Sequence, residues 1–255
     1  MIRKILTLSL ATLSLLAVAD IGVEKAPTDK KEDATLVGWM ENFKFPQGKT
    51  EKDKVLPGKW EIKTKIGTAA SKFYIKEDPS TKKTYLFMDA DKESGSVILE
   101  IEKLDIKKYP ILRWKWKADI LPTKGDGRNS DTDDQAISIY VGTGSIFIKK
   151  TVSYRWDTET PKNAEGQCSY GAGTIKIKWH TLRNKEDFEK GDNGWFVEER
   201  NVAEDFKKAW GFYPESVYVS ISCNSQYTGS KGAARLEWIG FAKSDKDSKE
   251  ENAQK

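Results

Sequence analysis

Short segments in which apolar and polar residues alternate recur through this chain, and they constrain its fold more than any other feature. In Leu112–Lys117, LRWKWK, Trp114 and Trp116 fall on one face of an extended strand, and Arg113, Lys115 and Lys117 on the other. Ile137, Ile139 and Val141 alternate with Ser138 and Tyr140; Val152, Tyr154 and Trp156 with Ser153 and Arg155; Ile175, Ile177 and Trp179 with Lys176 and Lys178. Val217, Val219 and Ile221 alternate with Tyr218, Ser220 and Ser222, and Leu236 and Trp238 face away from Arg235 and Glu237. Phe73–Ile75, Thr84–Met88 and Ser96–Ile101 read as further strands, the first two parted by the turn residues Asp78-Pro79-Ser80. Many short strands with one apolar face each predict an all-β fold, a two-sheet antiparallel sandwich. Its core takes Trp116, Trp156, Trp179, Trp210 and Trp238.

One segment departs from the period of two. Asn201 is placed to cap a helix, with Glu204 three residues on. Val202, Phe206, Ala209 and Trp210 then form one apolar stripe, and Gly211 stops the helix before Pro214. A single short helix over 201–210, lying across one end of the sandwich, is predicted.

The two ends of the chain read differently. Arg3 and Lys4 precede an apolar run from Ile5 to Leu16, and Ala17-Val18-Ala19 offers a small-x-small cleavage site. Residues 1–19 therefore read as a signal peptide, shorter than the ~20 apolar residues of a membrane span. Residues 20–34 form a polar leader, 35–243 a single sandwich domain, and 244–255 a charged tail expected to be disordered. The product is expected in the periplasm or outside the cell. No second apolar run predicts a membrane span, and the net charge of +4 comes from interspersed acids and bases, which argues against a nucleic-acid partner. Cys168 and Cys223 are the only cysteines, and in an oxidising compartment they are expected to pair. Closing that loop would stabilise the fold by ~4 kcal/mol in the chain-entropy model.

Several landmarks carry a resemblance: Trp39 and Phe43, LRWKWK, Leu121-Pro122, Asp133-Asp134, Tyr154-Arg155-Trp156 and the run Glu199–Gly211, ERNVAEDFKKAWG. In that order and spacing they resemble a bacterial exported family known as a domain of unknown function, number three thousand and forty-seven. The resemblance runs from about Gly38 to Phe241. It implies a jelly-roll-like, carbohydrate-binding-module-like sandwich and no established activity. One departure is Cys223-Asn224-Ser225-Gln226, where similar proteins tend to carry Asp residues after the late strand.

Three constellations bear on function. The loop between the Trp strand and the next gathers Asp126, Asp131, Asp133 and Asp134 beside Arg128. With loop carbonyls these acids supply the oxygens that calcium takes, but an EF-hand does not fit. A solvated loop with Asp133 or Asp134 paired to Arg128 or Arg200 is the preferred reading, so no cofactor is expected. In Gly191–Trp195, GDNGW, Trp195 beside Asn193 is the candidate platform for a sugar ring, since an exposed indole offers a flat apolar face and a polar N–H. Lys115, Lys117, Tyr140 and Arg155 are candidates for a polar cluster on a sheet face. His180 is the only histidine, no nucleophile elbow appears, and no Gly-rich phosphate loop joins a strand to a helix. Arg200 and Asp205 are expected to pin the helix to the sandwich edge by pairing with Asp134 and a lysine.

Together these readings favour an exported, non-catalytic binding protein for a glycan or cell-envelope polysaccharide. The alternatives are a polysaccharide lyase or glycoside hydrolase, and a surface protein-binding factor or adhesin. The lyase reading needs Lys115, Lys117, Tyr140 and Arg155 to share one concave groove.

Overall fold

The alternating segments fold as strands, and their apolar faces meet. The structure, a computed structural model, describes residues 37–144 and 148–244. All of these belong to one compact unit, Ala34–Lys255. The expected signal peptide and leader, and the tail beyond Ser244, lie outside the described residues.

In chain order the strands are β1 (Val37–Glu41), β2 (Glu61–Thr64), β3 (Lys72–Glu77), β4 (Thr84–Asp91), β5 (Ser94–Ile101), β6 (Ile111–Ile120) and β7 (Gln135–Gly144). They continue with β8 (Lys149–Trp156), β9 (Glu165–Tyr170), β10 (Ile175–Arg183), β11 (Phe196–Asn201), β12 (Val217–Asn224) and β13 (Lys231–Ala242). The first sheet runs β11-β6-β13-β4-β3, with β1 also on β13; the second runs β2-β5-β12-β7-β8-β10-β9. Every neighbour pair is antiparallel except β8 and β10. The β9–β10 hairpin folds back so that β10 inserts between β8 and β9.

Between the sheets lies the core. β6 contributes Leu112, Trp114, Trp116 and Ala118, and the central strands β7, β8 and β12 contribute Ile137, Ile139, Val141, Val152, Tyr154, Trp156, Val219 and Ile221. Trp114 stacks on Tyr154 at 5.3 Å, and Trp116 meets Trp156 at 5.7 Å, so aromatic pairs bridge the two layers. The whole pattern depends on register: a slip of one residue would turn each of these rings to solvent.

Three tryptophans differ from expectation. A bulge between Leu236 and Trp238 shifts β13 by one residue. Trp238 then pairs with Lys115 on the outward side, and Ile239 and Phe241 take the buried positions. Trp179 is buried but stands outside the core cluster: it pairs with Ser153 on the outward side of the second sheet, with the Arg155 guanidinium 5.1 Å from its ring. Trp210 is half-buried and packs against the core rim.

The cysteines remain free thiols and do not form the expected bridge. Cys168 lies outward on β9, and Cys223 inward on β12, with β10, β8 and β7 between them. Four strand spacings are roughly 19 Å along the sheet, whereas bridged Cα atoms lie within about 7 Å.

The helix α1 spans Val202–Trp210. The Asn201 side chain accepts from the Glu204 N–H at 3.1 Å, and Gly211 closes the end at φ 85°. Val202, Ala203 and Phe206 are its buried face. Arg200 grips Asp205 with two nitrogens at 3.0 and 2.8 Å, and the Tyr154 hydroxyl donates to the same carboxylate at 2.7 Å. The helix is pinned through this trio rather than through Asp134, which lies against Thr228.

Candidate functional site

The two sheets present very different outward faces. On the second sheet, register places short hydroxyl side chains side by side: Ser96, Ser222 and Ser138 in one row, Ser220, Tyr140 and Ser153 in the next. Small residues across three or four neighbouring strands leave a trough. It is a groove of about 470 Å³, lined chiefly by Tyr140, Tyr170, Tyr218, Tyr227, Thr151, the serines of β5 and β12, and Asn224. Lys63, Lys65 and Lys149 stand among the lining residues.

Tyr218 is held in a defined pose. Its phenol end lies over Gly142, where an added Cβ would come within 2.3 Å of it. Glycine is therefore required at this position for reasons of contact. The Tyr218 hydroxyl shares a 2.8 Å hydrogen bond with Thr151 Oγ1. Tyr140 accepts from Ser222 Oγ at 3.3 Å, and Ser138 and Ser153 bond at 2.7 Å. Burial pushes the Tyr140 and Tyr218 phenols above their ordinary value, so both stay neutral donors across the physiological range.

Beneath the groove runs a buried charge network. Arg155 donates to Asp133 and, at 3.0 Å, to Asp157, while Gln135 also donates to Asp133 at 2.8 Å. From the edge strand, the Tyr170 hydroxyl reaches over and donates to the other Asp133 oxygen. Burial opposes the Arg155 charge, but Asp157 and Asp133 outweigh it and keep the guanidinium protonated. Gly127 abuts that guanidinium; a Cβ there would sit 2.6 Å from it. The network fixes the groove floor and offers an incoming ligand little free charge.

The residues expected to bind ligand divide between the two faces. Tyr140 lines the groove. Arg155 is 3% exposed and fully engaged below it. Lys115 and Lys117 point outward from β6, on the opposite sheet, where Lys115 pairs with Glu237 at 3.2 Å and Lys117 donates to the Asn193 carbonyl at 2.6 Å. Trp195 is half-buried there, edge-on to Tyr85 at 6.3 Å with Lys115 Nζ 5.6 Å from its ring. The four residues of the lyase reading thus never share a groove.

The four loop aspartates are not brought together either. Asp126 holds Arg128 at 2.9 and 2.6 Å, a contact that lowers its pKa to about 2. Asp131 faces Ser130, Asp133 belongs to the Arg155 network, and Asp134 accepts from the Thr228 N–H at 2.7 Å. Arg128 therefore pairs with Asp126, and Arg200 with Asp205, rather than with Asp133 or Asp134. Among the described residues no three acid, His or Cys side chains are arranged to hold a metal ion.

Tyr218, Thr151, Tyr170, Tyr227 and the serine rows carry no local sequence motif that marks them as a site. The signal is present in the alternation: on the central strands β7, β8 and β12 most polar positions are Ser, Thr and Tyr, with Lys149 and Arg155 on β8 the basic exceptions.

A model of the family described as a protein of unknown function, DUF3047, matches residues 58–239. The chain belongs to that family. No curated protein matches it. Among solved structures it is similar to the family 11 carbohydrate-binding module of a cellulosomal cellulase of Clostridium thermocellum, at 9% identity over 72% of this chain and 88% of that one, with a TM-score of 0.37. It is also similar to the xyloglucanase domain of NopAA, a type three effector from Sinorhizobium fredii, at 8% identity over 72% of this chain and 96% of that one, with a TM-score of 0.39. Such distant likeness says nothing about what occupies the groove of the DUF3047 chain. Among the described residues no helix is long and apolar enough to cross a membrane.

Proposed function

We propose that this protein is a non-catalytic binding protein that holds a glycan in the groove of its seven-stranded sheet. The observation that carries this reading is Tyr218, laid over Gly142 and tethered by Thr151 beside a trough of neutral hydroxyls. A sugar ring presents axial C–H groups to an aromatic face and hydroxyls around its rim. A ring held in place stacks at low entropic cost, and Ser96, Ser220, Ser222 and Asn224 supply donors and acceptors at the edge. Catalysis of the lyase or hydrolase kind finds less support: the cationic side chain nearest Tyr140 in that scheme, Arg155, is locked between two buried carboxylates. Export belongs to the same reading, supported by Arg3, Lys4 and the Ala17-Val18-Ala19 site.

A panel of immobilised polysaccharides, probed with the full chain and with Tyr218→Ala, tests this. At least one polysaccharide should bind, and the variant should lose affinity by roughly tenfold, the scale of one aromatic contact and its buried area. Binding that ignores the substitution, or release of new reducing ends or unsaturated products from the bound polymer, would overturn the proposal.

A further inference from the structure

Hydroxyls and an internally paired charge network make the floor of the groove, while lysines stand at its rim, and that asymmetry bears on which glycans it takes. Three lysines line it. Lys63 is neutralised by Glu61 at 2.6 Å. Lys65 and Lys149 are different: among the described residues neither makes an ion pair with a carboxylate. Each rests instead on an aromatic ring of the groove. Lys65 Nζ lies 4.8 Å from the Tyr227 ring centre and donates to its hydroxyl at 3.2 Å; Lys149 Nζ lies 5.0 Å from the Tyr218 ring centre. Among the described residues the only carboxylate lining the groove, Asp133, is engaged by Arg155, Gln135 and Tyr170.

From this we infer that the groove selects acidic polysaccharides, with Lys65 and Lys149 pairing to anionic groups on the sugars. The inference rests on the glycan-binding reading and sharpens it. An ammonium resting on an exposed ring is weakly held. An arriving anion offers a charge-assisted partner, so each lysine exchanges its ring for the ligand, and the exchange uncovers the Tyr218 face for stacking. The two lysines stand apart on the sheet, with Lys65 just beyond the end of edge strand β2 and Lys149 on β8. Anions spaced along a chain therefore meet both more readily than a single small anion does. Lysine is a point charge without the planar fork of arginine, so carboxylated and sulfated sugars are both within its chemistry.

Affinity electrophoresis of the full chain through gels containing alginate, dextran sulfate or neutral dextran tests the inference. One or both acidic polymers should retard the protein more strongly than dextran, and alginate against dextran sulfate identifies the anionic group. Retardation should fall steeply as salt is raised through the range where the Debye length drops to about 3 Å. The Lys65→Gln/Lys149→Gln double variant should weaken binding to the acidic polymer by roughly tenfold, the scale of two exposed charge contacts, with an unchanged circular dichroism spectrum. Dextran bound as tightly as the acidic polymers, or a double variant that still binds them fully, would overturn this inference and leave glycan binding standing. If none of the three polymers, nor any other polysaccharide, retards the protein, both readings fall.

Discussion

The outward faces of the two sheets are built from the same alternation and reach opposite outcomes. On the six-stranded sheet the polar positions are long and charged, and they pair across strands: Lys115 and Lys83 with Glu237, Arg235 with Asp119, Arg113 with Glu199. Tyr85, Phe87 and Trp195 pack among them, so the face fills its own space and satisfies its own charges. On the central strands of the seven-stranded sheet most of these positions hold serine, threonine and tyrosine. Short side chains leave volume, and hydroxyls keep unspent hydrogen-bonding capacity once paired to one another. A sheet face becomes a site when its side chains are too short to close it.

That contrast can be broken in graded steps. The largest effect is expected from Arg155→Ala, which leaves Asp133 and Asp157 buried without their counter-charge and should cost ~3–5 kcal/mol in urea unfolding. A loss below about 1 kcal/mol would mean that the network does not hold the groove floor. Next is Gly142→Ala. Its methyl would drive into the Tyr218 phenol, so a stability loss of ~1–3 kcal/mol should accompany loss of glycan binding; unchanged binding would detach Tyr218 from the site. On the other face, Glu237→Gln removes the partner of Lys115 and Lys83, and a loss of no more than ~1 kcal/mol with full glycan binding is expected.

The smallest effect is a pH slope behind the groove. Burial lowers the His180 pKa against the pull of Asp205 and Glu165, while Arg200 and Lys208 add to the lowering and Tyr154 stacks on the ring. The unfolded chain then takes up the proton first, near pH ~6.5. Stability is complete above that value and falls as the pH drops through it towards the lower folded pKa. His180→Gln should flatten this part of the stability curve between neutral and mildly acidic pH, read by thermal unfolding; an identical slope in the variant would count against the assignment.

Much of the fold was legible because burial follows the period of two, as with Trp114 and Trp116 against Tyr154 and Trp156. The helix was legible for a local reason: Asn201 and Gly211 mark its ends by their own chemistry. What escaped depends on neighbours distant in sequence. The bulge that turns Trp238 outward arises from pairing with β6, and nothing within β13 announces it. Cys168 and Cys223 looked like partners until strand order separated them. The groove escaped for the same reason. Ser96, Ser138, Ser153 and Ser222 are unremarkable on their own strands, and only register aligns them into a trough. Charged and aromatic residues drew notice to Lys115, Lys117 and Trp195, which sit on the face that closes itself.

The most direct measurement compares one aromatic from each face. Isothermal titration of a bound polysaccharide into Tyr218→Ala and Trp195→Ala, each checked for native unfolding, should show affinity lowered roughly tenfold in the first and unchanged in the second. Binding kept by Tyr218→Ala and lost by Trp195→Ala would place the site on the six-stranded sheet and contradict the account.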